Sequence, residues 1–171
     1  MNSLTTATLL QWDARHYGTG FAHIDEQHHE LFDGLNSLTL FLKNSSAAND
    51  PENQGKVIEL LYFLGEYVIR HFQEEEETFA KCDHPLAEAN KEAHQVFYEK
   101  YFEYNDKLIS GTFSLELLHQ LHSFLHSWLI NHILKIDITL REYAEKSGMD
   151  SSFSAGKKGV FAKFLAFFQM K

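Results

Sequence analysis

Apolar residues recur every three to four positions in four separate stretches of the chain, and nowhere do they alternate with the period of two that a strand requires. The first stretch, Ile24 to Lys43, sets Ile24, Leu31, Phe32, Leu35, Leu38 and Leu42 along one side of a helix. Asn44–Gln54 has Ser-Ser, Asn-Asp-Pro and no apolar residue except two alanines, so it reads as a loop. A second helix, roughly Glu52 to Lys81, carries Val57, Leu60, Leu61, Leu64, Val68 and Phe72 and stops near Cys82-Asp83-His84-Pro85. Pro85 suits the first turn of a third helix, Leu86 to Ser110, whose stripe is Asn90, His94, Phe97, Tyr98, Tyr101 and Leu108, until Gly111 breaks it. The fourth helix takes Thr112 or Ser114 as its cap and runs past Leu140. Met1–Phe21 shows no sustained period and reads as an extended arm covering one end of the helices. Four long helices joined by short loops predict an all-α, up-down-up-down four-helix bundle.

The pattern changes after Ser147. Residues 148–156 are small and polar, a linker, and residues 157–171 carry four lysines and no acid, with Val160, Phe161, Phe164, Leu165 and Phe168 at helical spacing. The expected division is a bundle over residues 1–147, with 1–21 as the N-terminal arm, and a linker with a short basic amphipathic helix over 148–171. Such a helix suits a membrane surface, an acidic partner, self-association or folding back onto the bundle.

Composition narrows the function. A net charge of −9 argues against nucleic acid, which wants a basic face. Cys82 is the sole cysteine, which excludes an internal disulfide, and no export signal or long apolar run occurs. The expected compartment is the cytoplasm. Eleven histidines are the anomaly. His71 and Glu75, four residues apart, share one helix face, and every helix sets a histidine or an acid in its apolar stripe: His28, then His71 and Glu75, then His94, then His132 and Asp137. Six ionisable groups in a bundle core are costly unless something pairs them, and metal ions are the natural partner. Glu74, Glu76 and Glu77 point away from the Phe72/Glu75 side and read as solvated. His122 and His126 form an i, i+4 pair able to hold a surface metal, and His119 and the rest read as structural.

Trp12-Asp13, Ile24-Asp25-Glu26-Gln27-His28 with Leu31-Phe32, His71-x-x-x-Glu75, His84-Pro85 ahead of His94, and Trp128-Leu129-x-x-His132-Ile133-x-x-x-Asp137 together resemble a bacterial hemerythrin, from about Trp12 to Tyr143. The resemblance implies a non-haem di-iron centre (Fe2+/Fe3+) with a bridging oxo or hydroxo and with Glu75 and Asp137 bridging the irons. By the same resemblance His28 and His71 bind the iron that leaves room for dioxygen, and His94 and His132 bind the other. Leu31, Trp128, Leu129 and Ile133 would line a dry pocket for dioxygen or a related small ligand such as nitric oxide, peroxide or azide. One position departs: where the family reads His-x-x-x-His, this chain reads Asn90-Lys-Glu-Ala-His94. Asn90 can coordinate weakly, hydrogen-bond a bound water, or leave the iron one ligand short, and His84, six residues away, does not easily fill the slot. Three functions stay open: a dioxygen carrier, store or sensor; a di-iron oxidase or peroxidase; and an iron-sequestering protein.

Overall fold

Asp50 and Ser114 start the second and fourth long helices, because each side chain accepts a hydrogen bond from an otherwise orphaned amide of the first turn: Asp50 from Glu52 N–H (3.1 Å) and Ser114 from Leu117 N–H (3.2 Å). The computed structural model describes residues 8–44, 50–111 and 113–147. Its elements are a single turn α1 (Ala14–Tyr17), the long helices α2 (Ala22–Lys43), α3 (Pro51–Lys81), α4 (Ala87–Ser110) and α5 (Leu115–Lys135), a 3-10 turn (Asp137–Leu140) and α6 (Arg141–Ser147). The turn between α3 and α4 is built on Asp83, whose φ of 48° lets His84 N–H reach back to Phe79 C=O at 3.0 Å and close the helix end. Both α2 and α4 pack on α3 and α5, which makes the expected up-down-up-down four-helix bundle. Among the described residues no helix is long and apolar enough to cross a membrane.

Two expectations need correction. The fourth helix does not run past Leu140: it ends at Lys135, and Ile136 (φ −116°, ψ −62°) leads into the 3-10 turn. The reason is geometric. Asp137 follows His132 by five residues, and on a continuous helix it would lie about 140° around the axis from that histidine. Changing to the tighter 3-10 winding turns Asp137 back inward, where it is fully buried. The described part of the arm is neither extended throughout nor confined to one end: residues 18–21 meet Leu140, Arg141 and Ala144 there, but the residues before them do not. Asp13 caps α1, the amide of Asn36 pairs with both backbone groups of Leu10 (2.8 and 2.9 Å), and Trp12 packs edge-on against Phe32, so residues 10–17 lie along the side of α2. The basic segment 157–171 lies outside the described residues.

Apolar side chains form two clusters rather than one. The larger holds Leu31, Phe32, Leu61, Val68, Phe72, Phe97, Leu121 and Ile133 among others, and the smaller holds Phe21, Ile24, Phe79 and Leu140. Helices α2, α3 and α4, and the run from α5 into the 3-10 turn, pass from one cluster to the other.

Candidate metal centre

Polar residues fill the level between the clusters. His28 lies between Ile24 and Leu31 on α2; His71 and Glu75 between Val68 and Phe79 on α3; Asn90 and His94 before Phe97 on α4; His132 beside Ile133 on α5; and Asp137 between Ile133 and Leu140 on the 3-10 turn. All seven are between 0 and 6% exposed. Apolar packing on both sides keeps bulk water from solvating them.

The two carboxylates are shared between two histidine pairs. Glu75 Oε1 faces His28 Nε2 (3.7 Å), while its Oε2 faces His94 Nε2 (3.1 Å) and His132 Nε2 (3.8 Å). Asp137 repeats the arrangement, with Oδ2 toward His28 (3.4 Å) and Oδ1 toward His132 (3.1 Å). His71 completes the first group: His28, His71 and Glu75 converge to within 4.8 Å, as do Glu75, His94 and His132. Donors bound at right angles about 2.1 Å from one ion lie about 3.0 Å apart, close to the shortest of these separations. Both oxygens of Glu75, both of Asp137 and both ring nitrogens of His28 have no hydrogen bond of acceptable geometry. Buried carboxylates in that condition cost several kcal/mol unless a cation sits between them, so the residues present fit a pair of bound cations.

Outer partners aim the imidazoles. Gln27 Oε1 accepts from His71 Nδ1–H (2.8 Å), and the Gln27 amide donates in turn to Glu74. Glu76 accepts from His94 Nδ1–H at 2.7 Å. Each bond commits the Nδ1 proton outward and leaves the Nε2 lone pair facing the carboxylates. Here the expectation for the acidic run is corrected: Glu77 is exposed, but Glu74 and Glu76 are half-buried orienting groups. Periodicity missed them because they sit at the edges of the buried stripe and meet partners on other helices. Phe72 stacks flat on His94 (3.6 Å, 3°) and Trp128 on His132 (4.3 Å, 12°), walling the rings from the apolar side.

Burial pushes His71 down to about 3, against the pull of Glu75 and Asp137, so its imidazole is neutral. Burial also opposes a charge on His132, yet Asp137 and Glu75 overcome it and push that histidine up to about 10. Glu75, which burial alone would raise, is held well below the usual carboxylate range by His132 and His94.

Asn90 is fully buried one turn before His94, with neither amide atom hydrogen-bonded. His84 is engaged elsewhere: its Nδ1 accepts from Leu86 N–H (3.1 Å) and its ring packs on Phe79 and Tyr143. Leu31, Trp128 and Leu129 line an apolar cavity of about 30 Å³, together with Leu35, Leu64, Val68, Phe72, Phe97 and Leu125. That volume exceeds what one water needs. Ile133 is fully buried in the same core but does not line the cavity. His122 is buried and its Nε2 is hydrogen-bonded to Thr39 Oγ1 at 2.7 Å, which agrees with a structural role rather than with one end of a surface metal pair.

Comparison with known proteins agrees with this geometry. The profile of the Hemerythrin HHE cation binding domain matches residues 19–144. A bacteriohemerythrin of Methylococcus capsulatus is 29% identical over 129 residues, covering 75% of this chain and 92% of that protein. One of Stenotrophomonas maltophilia is 29% identical over 114 residues, 67% of this chain and 68% of that protein, and a hemerythrin-like protein of Naegleria gruberi is 27% identical over 135 residues, 78% and 92%. A crystal structure of wild-type hemerythrin superposes with a TM-score of 0.65 at 25% identity, covering 79% of this chain and 97% of that one. With the family profile spanning most of the chain and the buried histidines and acids gathered at one level, this chain belongs to the hemerythrin HHE cation-binding family.

Proposed function

We propose that the chain holds two iron ions, one at His28 and His71 and one at His94 and His132, with Glu75 and Asp137 shared, and that it binds dioxygen as a carrier, store or sensor. One observation carries the reading: each buried carboxylate presents one oxygen to each histidine pair and has no hydrogen bond of its own. Family membership supplies the choice of iron. Bound there, the two irons would supply redox chemistry and an open coordination position for a small ligand.

The chain's own residues do the rest. Gln27 and Glu76 hold the Nδ1 protons of His71 and His94 outward. Phe72, Trp128, Leu31 and Leu129 wall an apolar cavity beside the site, large enough for a small neutral molecule and without a charged lining residue. Trp12 packs over His28 (6.1 Å between ring centroids) and closes that side. These contacts keep water from the ligands and favour an apolar guest.

Anaerobic reconstitution with ferrous iron, metal analysis, and cycles of air and argon followed by visible absorption test the reading. Two irons per chain and a spectrum that returns on degassing are expected. Two irons with irreversible oxidation and turnover of a reductant or peroxide would assign an oxidase or peroxidase instead. Iron uptake with no response to air would leave iron sequestration, and fewer than two irons, or a preference for zinc, overturns the di-iron centre.

A further inference from the structure

We infer that Asn90 makes the His94/His132 half of the centre a second position for a small exogenous anion, reached from the groove between α4 and α5. The inference rests on the di-iron reading. Each half has the same protein donors: two imidazoles, one Glu75 oxygen and one Asp137 oxygen. What separates the halves is Asn90, fully buried one helical turn before His94 and so on the same face of α4. Its amide offers two N–H donors and a carbonyl oxygen, and among the described residues no group hydrogen-bonds to any of them. An unpaired buried amide is costly, which favours a partner that enters the site. A neutral amide is a weak ligand for iron, whereas its N–H groups are well suited to an anion held on the neighbouring metal.

The groove offers the route. It is a shallow, open cleft of about 810 Å³ on the outer side of α4 and α5, and Ala93, Trp128, His132 and Ile136 line it. His132 is thus both a member of the buried cluster and part of the groove wall. Ala93 lies between Asn90 and His94 in the helix, and its methyl is a small barrier. Of the four imidazoles, His28, His71 and His94 are at most 1% exposed with Trp12 or Phe72 against their rings, whereas His132, with Trp128 stacked on it, is the one that lines the groove. A small linear anion such as azide would approach the Asn90 side along this groove, past Trp128 and His132.

The experiment is an azide titration of the two-iron protein, read by calorimetric stoichiometry and by the number of azide infrared stretches, on wild type, Asn90→His and Ala93→Leu. Wild type should take two azides per two irons and show two stretches; Asn90→His should lose one equivalent and one stretch with iron content unchanged. Ala93→Leu, which narrows the groove without replacing a metal ligand, should slow one of the two binding phases and leave the other. A wild type that loads two irons but takes one azide, with Asn90→His identical, overturns the inference and spares the di-iron reading. Fewer than two irons before azide is added overturns both. Should Asn90→His fail to fold, Ala93→Leu decides, and two unchanged phases sink the proposal.

Discussion

Glu76 is the residue at which the orienting role of the outer partners can be measured. Its Oε1 accepts the Nδ1 proton of His94 at 2.7 Å, and the carboxylate is 29% exposed. Glu76→Ala frees the His94 ring to take either tautomer and to rotate, so part of its population no longer presents the Nε2 lone pair to the centre. Loss of such a partner typically weakens metal affinity about 10- to 100-fold, or about 1.4–2.7 kcal/mol. Partial exposure lets water replace some of the lost bond, which places the expected effect near tenfold. Chelator competition should therefore show one of two irons leaving about ten times faster, with the second unchanged. Glu76→Gln should recover most of the retention, because its carbonyl still accepts the proton. Glu77→Ala is the control: Glu77 is exposed and its partner is Lys81 at 3.3 Å. If Glu76→Ala and Glu77→Ala lose iron at the same rate, Glu76 does not orient His94.

Two further outcomes follow from the fold. A methyl at Gly65 would meet the ring and hydroxyl of Tyr101 at 2.9 Å, whereas one at Gly55 meets nothing within 4 Å. Gly55→Ala should therefore stabilise α3 by about 0.5–1 kcal/mol in denaturant titration. Gly65→Ala should be destabilising, because about 1–3 kcal/mol of overpacking outweighs that gain; equal and favourable shifts at both sites would contradict the packing described. Burial, with His126 and His119 nearby, lowers His122 from 6.5 to about 4. A depressed histidine contributes stability that is whole above about pH 6.5 and is lost as pH falls toward 4, since the unfolded chain takes up the proton first. Denaturant titration between pH 7 and pH 4 should thus show a shallower acid loss in His122→Gln than in wild type, and parallel curves would rule out a neutral buried His122.

Much of this protein is local and therefore legible in its sequence. Four apolar stripes with helical spacing, Ser114 at a helix start and Gly111 at a helix end report the helices directly, since backbone hydrogen bonding and side-chain direction depend on neighbours three and four residues away. The same spacing shows that His28, His71, Glu75, His94 and His132 share faces with buried leucines and phenylalanines. Tertiary structure decided what those faces meet. Glu75 and Asp137 turn one oxygen toward each histidine pair only because four helices and a 3-10 turn are placed around them, and periodicity along one helix carries no information on its neighbour's rotation or height. The break at Ile136 escaped the sequence because Ile136 and Ile138 continue an apolar run, while the energetic demand for it comes from the buried histidines that Asp137 must face. Glu74 and Glu76 look like solvated members of an acidic run until Gln27, 47 residues away, and His94, 18 residues away, are brought against them. Contacts of that kind are set by packing across helices, where the hydrophobic pattern fixes which side is buried and the interlocking of particular side chains fixes who touches whom.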